Sequence, residues 1–252
     1  MLLADSPKLT PGVWGPFYSA IYPGLWLMEG GQSSSGSLLE HVIHSHPAKP
    51  QLEAEAKEQC VSPHKVLASL LENMAKEAGV KSVCSLTRSV HVWPDYHGNR
   101  SPLADPTMTG SVVGLTLAND LPSLATQYLA TVQALCYGTR HILEQLSKHG
   151  HHVSSVAVCG GLAKSPLFLQ TQADVLGKQV IVEAVEEDHT VNNDVLLMIV
   201  AIQVIVPEEK NSMLLGAAML GMAAGEEKGL EAVVRKLQKI AKVIEIKSTD
   251  EY

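Results

Sequence analysis

Residues 153–177 read Val-Ser-Ser-Val-Ala-Val-Cys-Gly-Gly-Leu-Ala-Lys-Ser-Pro-Leu-Phe-Leu-Gln-Thr-Gln-Ala-Asp-Val-Leu-Gly. No other stretch restricts the fold as much. Val153 to Val158 reads as a short buried strand, the chain turns at Gly160-Gly161, and a helix is predicted from about Ser165 to Leu176. A strand that feeds a helix through two glycines is a βα unit of an α/β protein. Glycine lets backbone approach a ligand closely, and unpaired N–H groups at a helix start favour anions or polar edges. The turn is therefore a generic place to hold a nucleotide. Taken alone it reads more readily as an ordinary connection of any α/β protein, so residues elsewhere have to decide.

The aromatic start, Pro11 to Met28, is punctuated by Gly and Pro and predicts short strands and turns. Its apolar residues need a sheet partner, and nothing upstream supplies one, so the chain reads as beginning in mid-fold. Glu29 to Gly36 is a polar loop, and Ser37 to His46 a helix. Residues 50–79 are helix-prone with a break near Ser62-Pro63. Ser89 to Val92 is a short strand candidate, 97–102 a loop, and Val112 to Leu117 a strand or turn. Leu121 to Lys148 is the longest helix, with Leu124, Tyr128, Val132, Leu135, Thr139, Ile142 and Leu146 at helical spacing. Met213 to Ala224 and Gly229 to Ile240 read as helices, and 241–252 as a frayed tail.

Gln179-Val180-Ile181-Val182 recurs word for word at 203–206. Between the copies lie an acidic segment and a greasy one, so 183–202 reads as an insertion into an existing connection. The second copy is the predicted native strand, because it leads directly into Pro207-Glu208-Glu209 and the Leu215-Gly216-Ala217-Ala218 helix.

Composition excludes some functions. Twenty-six acidic against 19 basic residues give a net charge of −7, which argues against a protein that coats nucleic acid. The longest nearly apolar run, Val195 to Val206, is too short to span a bilayer by itself. Four scattered cysteines without a CxxC pair, and a start in which Met1-Leu2-Leu3-Ala4 meets Asp5, imply reduced thiols in a cytoplasmic protein.

Five stretches then form a recognisable order. They are Val13 to Tyr18 followed by Trp26 to Ser33; Trp93-Pro94-Asp95-Tyr96-His97-Gly98-Asn99-Arg100-Ser101-Pro102; Gly114-Leu115-Thr116 running into Tyr128 to Ala134; Cys159-Gly160-Gly161 with Gln172-Ala173-Asp174 and Gly177; and Leu215 to Gly221. Over about residues 10–182 and 203–240 the chain resembles the carboxy-terminal domain of the FGGY carbohydrate kinases, in their ribulokinase-like branch. The resemblance implies an α/β, ribonuclease H-like fold of the actin-like ATPase superfamily. Residues 1–252 would be the carboxy-terminal, ATP-binding domain, and the amino-terminal, sugar-binding domain would be missing.

By the same resemblance, Gly160 and Gly161 would lie against the adenosine end of ATP. Ser165 sits where many relatives place an asparagine that touches adenine. Gly36 matches a glycine lining the nucleotide site, and Glu40 stands where some relatives have glutamine. A carboxylate near ATP phosphates would repel them unless it faces elsewhere. Thr126 occupies a place usually filled by a carboxylate, amide or histidine. Mg²⁺ would arrive with ATP. Phosphoryl transfer also needs a base for the sugar hydroxyl and donors around the phosphates. In the family these are an aspartate and a Gly-Thr-type loop of the amino-terminal domain, so no catalytic residue is expected on this chain. The expectation is a truncated product that binds nucleotide but cannot phosphorylate a pentulose alone. The competing reading is a non-catalytic module that binds nucleotide, or pairs with another chain or copy through the interdomain face, with Trp14, Phe17, Tyr18 and Trp26 exposed.

Other residues have plainer readings. His41, His44 and His46, and His149, His151 and His152, read as solvated surface groups rather than metal ligands. Asp174 could hold a ribose hydroxyl, but surface or capping use suits its helix better.

Overall fold

The aromatic start of the chain pairs with itself. The computed structural model describes residues 1–153, 155–158, 161–177, 179–182 and 242–244. In it β1 (Leu2–Ala4), β2 (Trp14–Tyr18) and β3 (Trp26–Glu29) form an antiparallel sheet of order β1-β3-β2, with Leu2 opposite Met28 and Phe17 opposite Leu27. The partner that seemed lacking is thus supplied by residues 2–4 and by the hairpin itself. Leu27 and Met28 are buried, while Trp14, Phe17 and Tyr18 are exposed. Trp26 departs from expectation: it is half-buried, with its ring 4.9 Å from that of Tyr18.

Three helices follow: α1 (Gly36–Ser45), α2 (Lys49–Glu58) and α3 (Pro63–Glu77). The break before α3 is chemical. Ser62 Oγ accepts a hydrogen bond from Lys65 N, and Pro63 occupies the first turn, where a missing N–H costs nothing. Two short strands, β4 (His91–Trp93) and β5 (Ser111–Val113), pair antiparallel. Then comes α4 (Leu121–Lys148), started by Asp120, whose Oδ1 accepts from Ser123 N at 3.0 Å, and by Pro122. Its 28 residues span about 42 Å.

α4 is the axis of the molecule. All seven residues at the predicted helical spacing are buried, but so is every residue from Tyr128 to Cys136. A helix buried all round is covered on more than one side. α1, α3 and β4 pack on α4, and so does α5 (Pro166–Leu176). Leu52, Leu67, Leu71, Leu124 and Leu129 have no exposed surface, and each contributes about 2 kcal/mol by leaving water. The buried polar residues of α4 are satisfied: Gln133 Oε1 accepts from Thr87 Oγ1 at 2.6 Å, and Thr131 Oγ1 bonds back to Gln127 O.

The predicted strand–turn–helix is present. β6 (Ser155–Val158) leads through a 3₁₀ turn, Gly161–Lys164, into α5, and β7 (Gln179–Val182) returns parallel to β6. Within the described residues, the first copy of the duplicated word thus pairs with β6. The reason is local. α5 ends on Gly177 in the left-handed conformation (φ 58°), and a single residue then separates it from β7, so the shortest βαβ crossover uses the copy that comes first. Residues 203–206, the proposed insertion 183–202 and the two later helices lie outside the described residues. Within the segment expected to fray, β8 (Lys242–Ile244) is instead paired antiparallel with β7.

Two histidines read as surface groups are buried. His151 is 3% exposed, and its Nε2 lies 3.1 Å from Lys8 O; Lys8 Nζ in turn donates to Gly150 O. His46 is 8% exposed, and its Nδ1 accepts from Ala48 N at 3.1 Å. Burial lowers the His46 pKa below 6.5, against the opposing pull of Asp120. The folded protein thus binds fewer protons here than the unfolded chain, so stability present above pH 6.5 is lost as pH falls through the lowered value. We expect the urea midpoint to drop between about pH 8 and about pH 5.5, and the drop to be smaller in His46→Asn, whose Oδ1 can keep the Ala48 bond. Equal slopes in the two proteins would remove His46 from the account.

Candidate nucleotide site

At the end of β6 the chain has little choice but to open. Gly161 begins the 3₁₀ turn, and a Cβ placed on it would meet no atom within 4 Å. Among the described residues, nothing fills the space beside Gly161. Ser165 follows as the cap of α5: its Oγ accepts from Phe168 N at 3.3 Å and its carbonyl accepts from Leu169 N. Pro166 fixes the first helical residue. Ser165 Oγ thus serves its own helix as an acceptor, and its hydroxyl proton remains able to donate to a ligand. Gly160 lies outside the described residues.

Gly36 is the first residue of α1. Among the described residues no side chain caps this end: Ser35 makes no capping bond, and the first turn holds no acid. Ser34 and Ser37 instead bond each other, Oγ to Oγ, at 2.8 Å. An uncapped helix start carries partial positive charge, which favours an anion. The structure carries the Gly36 and Gly161 turns on one support, since α1 and α5 both pack on α4.

The loop before Gly36 is held to α4 by a contact that the sequence did not signal. Gln32 Nε2 donates to Leu135 O at 2.8 Å and to Thr139 Oγ1 at 3.1 Å. A Cβ on Gly138 would stand 2.7 Å from Gln32 Oε1. A glycine inside a helix costs about 1 kcal/mol against alanine, and here it makes room for Gln32. The mid-helix glycine was the available clue.

Glu40 is exposed, with one carboxylate oxygen engaged by a neighbouring helix. Its Oε1 accepts from His64 Nε2 at 2.8 Å, while His64 Nδ1 lies 3.0 Å from the Tyr128 hydroxyl. Burial pushes the Tyr128 phenol well above its ordinary pKa, with the Glu40 carboxylate adding to the effect. Tyr128 therefore stays protonated, and its hydroxyl and the Glu40 carboxylate engage the two ring nitrogens of His64. The chain Glu40–His64–Tyr128 ties α1, α3 and α4 together and holds one carboxylate oxygen toward α3. Thr126 bonds back to Pro122 O. Asp174 is buried, not on the surface, and its Oδ1 accepts from Gln170 Nε2 at 2.8 Å.

Residues 1–191 match the model of the FGGY family of carbohydrate kinases, C-terminal domain. The chain belongs to the FGGY family of carbohydrate kinases. It is 44% identical over 245 residues to an FGGY carbohydrate kinase domain-containing protein of Xenopus laevis, covering 97% of this chain and 40% of that one. It is 36% identical over 182 residues to a D-ribulokinase of Saccharomyces cerevisiae, covering 72% of this chain and 26% of that one. Among solved structures, gluconate kinase from Lactobacillus acidophilus superposes with a TM-score of 0.63 at 17% identity, over 97% of this chain and 40% of that one. Xylulose kinase from Rhodospirillum rubrum gives 0.60 at 20% identity, over 98% and 40%. The fold is thus the ribonuclease H-like α/β fold of these sugar kinases. The chain spans about 40% of the length of the FGGY domain-containing relatives it matches. Among the described residues no helix is long and apolar enough to cross a membrane, and no three His, Cys, Asp or Glu side chains converge as metal ligands.

Proposed function

We propose that this chain is the ATP-binding half of a carbohydrate kinase acting on a pentulose such as D-ribulose. The observation that carries the reading is the open turn at Gly161, where β6 feeds α5 and no atom of the described residues lies within 4 Å of a Cβ on the glycine. The uncapped start of α1 at Gly36, on the same supporting helix, suits the anionic end of the same ligand. Similarity to a D-ribulokinase favours the pentulose over other sugars. The complete enzyme would transfer the γ-phosphoryl group of MgATP to a primary hydroxyl, with Mg²⁺ arriving on the nucleotide. The base that takes the hydroxyl proton comes from a sugar-binding domain, so these 252 residues bind nucleotide without turning over sugar. The free thiols of Cys60 and Cys136 suit a reducing compartment, the cytoplasm.

A second reading has one observation in its favour. Trp14, Phe17 and Tyr18 are exposed beside one another on β2, as a module that pairs with another chain or a second copy would have them. Calorimetry with ATP and ADP separates the two. Saturable binding at millimolar strength or tighter, with no sugar-dependent ADP release, is the expected result. No heat from a cooperatively folded chain would leave the pairing module, and sugar-dependent ADP release would overturn the division of labour between the two halves.

A further inference from the structure

The loop 95–106 separates its charges. Asp95 is buried and accepts from Asn99 Nδ2 at 3.0 Å. Asp105 Oδ1 accepts from Thr107 N at 2.8 Å and from Thr107 Oγ1 at 2.7 Å. Both carboxylates are thereby engaged near their own backbone. The two basic side chains, His97 and Arg100, are exposed. Among the described residues Arg100 has no carboxylate partner. Its guanidinium lies 4.9 Å from the centre of the Trp14 ring. Trp14, Ser33, His97, Asn99 and Arg100 line one cleft, of about 180 Å³.

Each part of this cleft is fixed from behind. Asn99 is spent on Asp95 and on Leu103 N, which donates to its Oδ1 at 3.0 Å. Ser33 Oγ donates to Gly98 O at 2.7 Å. Gly98 has φ 74° and would bring a Cβ within 2.8 Å of Pro106, so the loop closes tightly only with glycine there. Beside the exposed His97 ring, the polar group left over among the described residues is the guanidinium. Packed over an indole ring it is held in place, with N–H donors that no acceptor among the described residues takes up. Such a fork matches an oxyanion bidentately and loses little freedom on binding.

We propose that this cleft is a site for a small phosphate monoester, with the phosphate on Arg100 and the rest of the molecule against Trp14. A phosphate monoester carries about −1.5 to −2 charges near neutral pH and three acceptor oxygens, which suits an Arg fork with a histidine beside it better than a carboxylate does. The alternative is that the Arg100–Trp14 contact only fastens the loop to the hairpin, a surface cation–π contact of modest strength. Choosing a sugar phosphate as ligand rests on the kinase reading; the anion site itself does not.

The test is a titration of the ¹⁵N-labelled chain at constant ionic strength with inorganic phosphate, D-ribulose 5-phosphate and ATP in turn. We expect saturable shifts at the Trp14 indole N–H and the Gly98 amide with phosphate, tighter with the sugar phosphate. Arg100→Gln should weaken both by about tenfold or more. If that variant loses the wild-type spectrum, Arg100→Lys, which keeps the charge without the fork, should still weaken them severalfold. Shifts that never saturate, or that are equal in the variant, overturn the site and leave a fastening contact. Phosphate binding at Trp14 without ATP binding would sink the kinase reading and keep this site; the reverse would sink this site and keep the kinase.

Discussion

Gly12→Ala should destabilise the chain by about 3 kcal/mol or more, and Gly24→Ala by about 1 kcal/mol or less. The two glycines have nearly the same backbone, with φ 77° and φ 81°. Both replacements force an L side chain into the left-handed region, at about 1 kcal/mol, partly offset because alanine also restricts the unfolded chain. Their surroundings differ completely. A Cβ on Gly12 would lie 1.7 Å from Pro102 O and 2.6 Å from its carbonyl carbon, whereas one on Gly24 meets nothing within 4 Å. The obstacle at Gly12 is backbone, flanked by buried Ser101 and Pro102, so no rotamer change relieves it. Two segments that close the Trp14 cleft have to move apart, which adds an overpacking cost of about 1–3 kcal/mol. Urea unfolding of both variants measures the difference directly. Equal midpoints would show that the approach of Gly12 to Pro102 does not hold the loop.

Much of the fold was legible where a signal and its consequence lie within a few residues. Asp120 and Pro122 start α4 and Ser62-Pro63 starts α3, as their types require. Ser165-Pro166 and Gly177 bound α5 in the same way. What stayed hidden depends on partners far along the chain. The spacing of Leu124, Tyr128 and Val132 shows one buried face of α4, but nothing in α4 tells that α5 will cover another. His46 and His151 sit in polar surroundings in sequence, yet are buried by segments around Ser123 and Lys8. The Gln32–Gly138 and Trp14–Arg100 contacts join residues that no local pattern relates. The candidate site divides in the same manner. The Gly161 turn was readable as a turn, whereas the diversion of Glu40 to His64 was not, since it needs α1 and α3 side by side. The duplicated Gln-Val-Ile-Val word turns on the same distinction: the downstream context favoured the second copy, whereas the short connection after Gly177 brings the first copy beside β6.

The second large effect is expected at Gly161. Gly161→Trp should weaken ATP binding by about tenfold or more, a loss above about 1.4 kcal/mol, with the unfolding midpoint close to that of the wild type. The two halves of this expectation rest on one observation. The position of a Cβ at 161 is open, and its φ does not lie in the left-handed region, so a larger residue is tolerated by the protein. The same open space is where the proposed nucleotide lies, so an indole there occupies ligand volume. This separates Gly161 from Gly12 and Gly114, where the space over the glycine is filled by backbone and a substitution would lower binding only by damaging the fold. Gly161→Ala is the finer probe: a single methyl group should leave stability unchanged and weaken ATP less than tryptophan does, in proportion to how closely the ligand approaches the turn. Calorimetric titration of the three proteins, each with its urea midpoint, reads both quantities. ATP binding unchanged in Gly161→Trp at wild-type stability would move the nucleotide away from this turn, leaving the uncapped start of α1 at Gly36 as the remaining anchor.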